Sequence, residues 1–96
     1  MIIVGGIMQI NPELRQATLD AIQVLMAASR AEEGCIAYTF SQDLASPDTL
    51  HLFEVWASAE AFQAHRETPH MAHFRTEVVP TLLKLEVKRY RAEPMP

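Results

Sequence analysis

The 96-residue chain has one cysteine, three glycines and no apolar run near the length of a bilayer span. The lone Cys35 makes no intramolecular disulfide and does not anchor a thiolate metal cluster by itself, which agrees with a reducing compartment. Glycine is confined to Gly5, Gly6 and Gly34, so there is no G-x-G-x-x-G and no phosphate loop, and a tightly bound nucleotide cofactor is not expected. C-x-x-C and H-E-x-x-H are absent, and no serine sits in G-x-S-x-G. Nowhere do the roughly 20 apolar residues of a membrane helix follow one another, and no charged segment followed by an apolar one opens the chain. The expectation is a soluble cytoplasmic protein without membrane contact. A net charge of −4 argues against nucleic acid as a partner. Lys84, Lys88, Arg89 and Arg91 do crowd the last segment, but there they read as a charged strand edge that resists aggregation.

What is present is the composition of one small globular domain, 49% apolar and 21% charged. A monomer of this size buries only about 60 to 65% of the surface its unfolded chain exposes, so a core shared with a second copy would help. Residues 1–92 form the expected domain, and 93–96 a flexible tail.

Local signals divide the domain. MIIVGGIMQI (1–10) reads as a strand buried on both faces, with Gly5-Gly6 marking a bulge or a close approach. Asn11-Pro12 opens a helix whose apolar stripe is Leu14, Ala17, Ala21, Ile22, Leu25 and Ala28. Gly34 ends it, or makes the turn after it, and GCIAYTFSQ follows as a strand with Ile36, Tyr38 and Phe40 on one face. DLASPD is turn chemistry, and TLHLFEVWA returns as a strand with Leu50, Leu52, Glu54 and Trp56 on one face and His51, Phe53 and Val55 on the other. Ser58 caps a short helix, and Thr68-Pro69 opens another with Met71, Phe74 and Val78 inward, stopped or kinked at Pro80. KLEVKRYR closes the order β-α-β-β-α-β. Right-handed crossovers make this an α+β, ferredoxin-like four-stranded antiparallel sheet with helices on one face. The other face carries apolar side chains and has to be buried, most economically by a homodimer joined through its sheets.

Three of the four histidines, His65, His70 and His73, fall within HRETPHMAHF (65–74). A metal site is not expected: His70 and His73 are three apart, the more usual four-residue spacing is missing, and no acidic ligand lies one turn away on the same face. His73 reads as solvent-exposed, His70 as part of a helix start, and His65 as a helix-terminal residue whose bland reading is a charged surface group. Glu54 is more unusual. It sits mid-strand between apolar neighbours, where a buried carboxylate must find donors or hold a proton; an arginine, a histidine or the Trp56 indole would satisfy it.

EEGCIAY (32–38), FEVWASAEAFQAH (53–65) and TPHMAHF (68–74), in this order and spacing, resemble the antibiotic biosynthesis monooxygenase domain family, and within it the small bacterial quinol monooxygenases. Members of that family are ferredoxin-like dimers whose sheets meet as an α+β barrel. The resemblance implies oxygenation of a quinol or related polyphenol by O₂ with no cofactor and no metal: the deprotonated substrate passes an electron to O₂, the radicals combine, and the hydroperoxide collapses to a quinone. On this reading the catalytic residues are His65 as first choice of base, Glu54 orienting it or acting in its place, and Trp56. Tyr38 or His70 donates to the substrate oxygen, and Phe62, Met71 and Phe74 join Trp56 in walling the pocket. Haem-degrading relatives pair a helix histidine with an asparagine on the first strand, where this chain offers only Gln9 as an amide. The alternative to an enzyme is a dimeric ligand-binding or stress-associated module in which Glu54, His65 and Trp56 are structural.

Overall fold

The computed structural model describes all 96 residues, arranged as β1 (Ile2–Gln9), α1 (Arg15–Arg30), β2 (Cys35–Asp43), β3 (Ser46–Trp56), α2 (Ala59–Arg66), α3 (Pro69–His73) and β4 (Lys84–Arg91). The strands form one antiparallel sheet in the order β2-β3-β1-β4, the ferredoxin-like arrangement, with the helices on one face. No helix is long and apolar enough to cross a membrane.

β1 runs in unbroken register with β3 on one side and β4 on the other, so Gly5-Gly6 is not a bulge. Gly6 is the close approach: a Cβ there would stand 2.6 Å from the Glu86 carbonyl oxygen of β4. The strand is not buried on both faces. Val4 and Met8 sit under the helices, whereas Ile3 and Ile7 on the bare face are only half-buried, because nothing in the single chain covers that side.

Asn11 accepts from the Glu13 amide at 3.0 Å, and Pro12–Leu14 forms a single 3₁₀ turn before α1 begins. That turn shifts the helix relative to the expected stripe. Its buried line is Thr18, Ile22, Leu25 and Ser29, while Leu14 and Ala17 are exposed. The small polar residues Thr18 and Ser29 are buried, a placement a hydrophobicity pattern does not report. Gly34 takes the turn after the helix, with φ +82°, in the left-handed region. Its carbonyl accepts from the Ala57 amide at 2.8 Å, and its missing Cβ makes room for Ala61 of α2.

β2 carries an irregularity between Cys35 and Ala37, where the register against β3 shifts. Ile36 is therefore turned out, 58% exposed, instead of sharing a face with Tyr38 and Phe40. The reversal is tighter than the DLASPD segment: Leu44-Ala45 make the turn, Asp43 accepts from the Ala45 amide at 2.9 Å, and Ser46 already belongs to β3. Along β3 the alternation is as expected, with Leu50, Glu54 and Trp56 buried under the helices and His51 and Phe53 exposed on the bare face.

Ser58 caps α2 by accepting from the Ala61 amide, and Thr68 caps α3 by accepting from the Met71 amide. Beyond α3 the helix widens into a π turn over Phe74–Val78, then tightens into a 3₁₀ turn over Val79–Thr81 that accommodates Pro80. Phe74 and Val78 point into the core from the π turn. After β4, the Ala92 amide donates to the Met1 carbonyl and the N-terminal amine donates back to the Ala92 carbonyl.

Candidate active site

The site occupies the space between the sheet and the helices α2 and α3. β3 delivers Glu54 to it at 5% exposure, opposite Tyr38 of β2. The Glu54 carboxylate accepts one hydrogen bond, from Trp56 Nε1 at 2.8 Å. Burial pushes the Glu54 carboxyl up to about 7; the indole N–H draws it back and the charge of Glu32 adds to the rise. Near neutral pH this carboxyl can therefore hold or release a proton.

His65, in the last turn of α2, is 1% exposed, so it is not a charged surface residue at the helix terminus. The amphipathic face of α2 rests on the sheet and carries the imidazole inward, between Trp56 at a ring-centroid distance of 4.4 Å and Tyr38 at 5.3 Å. Its Nδ1–H donates to Glu32 Oε2 at 2.7 Å. That bond fixes the tautomer and leaves Nε2 as a bare lone pair, buried, without a hydrogen-bond partner and 3.9 Å from Glu54 Oε1. Desolvation lowers the His65 pKa below its usual value and outweighs the opposing pull of Glu32. The imidazole is accordingly a neutral acceptor at neutral pH.

Glu32 was not foreseen. It lies in the turn between α1 and β2, where its amide donates to the Ser29 carbonyl and its own carbonyl accepts from the Cys35 amide. No periodic pattern singles out a glutamate in such a turn. The available clue was that buried imidazoles need an acceptor for their second nitrogen, and EEGCIAY holds the only acids adjacent to a glycine turn. Glu32, and not Glu54, is the hydrogen-bond partner that orients His65.

His70 Nε2 donates to the same Glu32 oxygen at 2.7 Å. His70 does not line the cavity that Glu54 and His65 face, so it is not placed to donate to a substrate there. It lines instead a separate apolar pocket between α1 and the α3–π segment, together with His73. Glu32, His65 and His70 bring three donor atoms within 4.8 Å, from two elements and a loop, which is an acidic neighbour the spacing of the histidines alone did not supply. Both imidazoles lie 2.7 Å from one Glu32 oxygen, a donor set that could hold a metal ion or, with an N–H on each ring, close as two hydrogen bonds.

The cavity in front of Glu54 and His65 measures about 220 Å³. Its walls are largely apolar, with Phe62, Met71 and Phe74 from the helices and Phe40, Leu52 and Tyr38 from the sheet. Trp56 is not a wall residue: it is fully buried behind the site, where it holds Glu54 and backs His65. Tyr38 is also buried and lines the same space, with its hydroxyl beside Ser29 of α1; burial and the charge of Glu54 raise its pKa, so it remains a neutral hydroxyl. Arg66, Arg75 and Arg89, none of them anticipated as site residues, complete the lining.

A family model described as antibiotic biosynthesis monooxygenase matches residues 1–77. The chain belongs to the antibiotic biosynthesis monooxygenase family. Among curated relatives, the Escherichia coli protein named probable quinol monooxygenase YgiN is 30% identical over 82 residues, which cover 77% of this chain and 79% of that one. An uncharacterized Synechocystis protein, sll1783, is 33% identical over 92 residues; the match covers 94% of this chain but 62% of that longer protein. A solved structure from Deinococcus radiodurans superposes with a TM-score of 0.92 at 23% identity, covering 100% of this chain and 96% of that one, a likeness of fold. Within the family's ferredoxin-like frame, this member presents Glu54 and His65 to the cavity, with Glu32 bonded to His65 from behind.

Proposed function

We propose that this protein is a cofactor-independent monooxygenase that oxidises a quinol or related phenol with O₂. The observation that carries the reading is the unpartnered Nε2 of His65, a buried imidazole nitrogen 3.9 Å from Glu54 Oε1 in the wall of a largely apolar cavity. The E. coli relative named as a quinol monooxygenase supports the substrate class.

His65 Nε2 takes the phenolic proton, and Glu32, bonded to Nδ1–H, steadies the imidazolium that forms. Glu54 stands beside it, able to accept the proton in its place. Tyr38 O–H donates to the phenolate oxygen. The electron-rich anion passes one electron to O₂, and superoxide couples to a ring carbon that bears hydrogen. Loss of water from the hydroperoxide leaves one oxygen atom on the ring as a new carbonyl. For a hydroquinone the products are a hydroxyquinone and one water, which accounts for both atoms of O₂. Apolar walls keep bulk water from the intermediate.

The functional unit in this reading is a homodimer joined through the bare sheet faces, where Phe53 and Tyr90 are 49% and 53% exposed. We infer a cytoplasmic location, which suits the free Cys35. The test is oxygen uptake with a panel of quinols. Turnover should exceed the uncatalysed rate and fall about 100-fold or more in His65→Ala. Uptake no faster than the uncatalysed rate across the panel would sink the proposal, and uptake unaffected by His65→Ala would remove His65 as the base.

A further inference from the structure

Three arginines line one small cavity from three separate elements: Arg66 from the end of α2, Arg75 from the π turn and Arg89 from the inward side of β4. None of them makes an ion pair, although the chain as a whole is acidic; the one arginine that does is Arg15, with Asp48. Arg66 and Arg89 are both held against Phe62, at 5.7 and 5.8 Å from its ring centroid. Arg75 Nη2 donates to the Arg66 carbonyl at 3.0 Å, which ties the π turn to the end of α2. All three are exposed, whereas Glu54 and His65 are buried. The cavity is thus polarised, with the buried Glu54 and His65 on one side and exposed, unpaired cations on the other.

Such an arrangement is superfluous for a neutral quinol. An anionic substituent would be disfavoured beside the buried carboxyl of Glu54 and bound by the exposed arginines, which orients the ring with its hydroxyl toward His65. Guanidinium is also the side chain best shaped to hold a carboxylate by paired N–H bonds. The volume of about 220 Å³ is below the roughly 300 Å³ at which pockets for drug-sized ligands begin, and it suits a single ring. Resting on the monooxygenase reading above, we propose that the substrate of this site is a one-ring quinol carrying a carboxylate, gripped at the mouth by Arg66, Arg75 and Arg89.

The probes are 2,5-dihydroxybenzoate and its methyl ester, which differ at the position of interest in charge and in one methyl group, the salt dependence reporting the charge. Binding is followed by calorimetry under nitrogen, apart from turnover. The acid should bind at least about tenfold more tightly than the ester at low salt, and the gap should narrow as salt is raised. Arg66→Gln and Arg89→Gln should each reduce the preference several-fold, and the triple variant with Arg75→Gln should abolish it, with circular dichroism confirming the fold. An ester that binds as well as the acid, an acid preference that survives in the folded triple variant, or no binding of either probe overturns the proposal. Should the triple variant not fold, an acid preference insensitive to salt in the wild-type protein overturns it as well. Oxygen uptake then separates the two readings. Tight, arginine-dependent binding of the acid without oxygen uptake defeats the monooxygenase reading and leaves the anion site standing, whereas equal turnover of acid and ester defeats the anion site alone.

Discussion

Replacing Glu54 by glutamine tests the buried carboxyl most directly. The amide is nearly isosteric and keeps an oxygen to accept from Trp56 Nε1, so packing and the one hydrogen bond of Glu54 are preserved. What is lost is titration. The folded-state pKa is about 7 against an ordinary value of 4.5. A raised carboxyl pKa favours the fold fully below the unfolded value and loses that advantage as pH rises through the folded one. Stability attributable to Glu54 should therefore decline between about pH 4.5 and 7 and stay low above it. At 1.36 kcal/mol per pKa unit the loss amounts to about 3 kcal/mol at most, an order-of-magnitude figure. Urea denaturation of wild type and Glu54→Gln at fixed protein concentration, at pH 4 and pH 8, measures it. The variant should be the more stable at pH 8, by an amount approaching that figure, with the difference vanishing toward pH 4. Because His65 titrates in both proteins, its own contribution largely cancels in the comparison. A difference that does not depend on pH, or a variant less stable at pH 8, would refute the assignment of Glu54 as a strained, desolvated carboxyl. Oxygen uptake by the same variant then reports separately whether the group takes part in turnover.

Trp56→Phe removes the N–H that restrains Glu54, so its pKa should rise beyond about 7 and the pH-dependent loss of stability should extend to higher pH; an unchanged pH range would mean the indole bond has no electrostatic effect. Phe53→Glu places a charge on the bare sheet face and should convert a dimer to a monomer in light scattering, while a monomeric wild-type protein would refute the sheet-face dimer. Gly34→Ala should destabilise by about 1 to 3 kcal/mol, because a side chain is strained at φ +82° and its Cβ would stand 2.5 Å from that of Ala61. Gly5→Ala, with nothing in the chain itself within 4 Å of the added Cβ, should cost the folded monomer little; because Gly5 faces the bare side of the sheet beside Phe53, a loss of stability that grows with protein concentration would report the dimer interface instead.

The sheet was legible because strands declare themselves by alternation: the side chains of β3 fall on the faces that a period of two assigns, and Glu54 stood out against Leu52 and Trp56 before any coordinates. α1 was legible as a helix but not in its rotation, since Thr18 and Ser29 are buried by small size and not by hydrophobicity. Ile36 misled because a shift in register is a property of two strands together and leaves no trace in one. His65 was ambiguous for a related reason. A helix terminus favours a cation, yet the same residue lies on the buried face of α2, and packing outweighs the dipole. Glu32 and the three arginines were the least accessible. They come from a turn, two helical segments and a strand, and only the folded chain brings Glu32 to His65 and the arginines to one cavity.

The π turn at Phe74–Val78 makes the cavity depend on residue count as well as residue type. A π turn closes its hydrogen bonds one residue further along than an α-helix, so it behaves as an insertion absorbed without breaking the helix. Deleting a single residue there would restore ordinary winding but rotate either Phe74 or Val78 away from the core. Among homologues, length in this short stretch should therefore vary less freely than in the Leu44-Ala45 turn, and a one-residue deletion would mark a member whose cavity has been rebuilt.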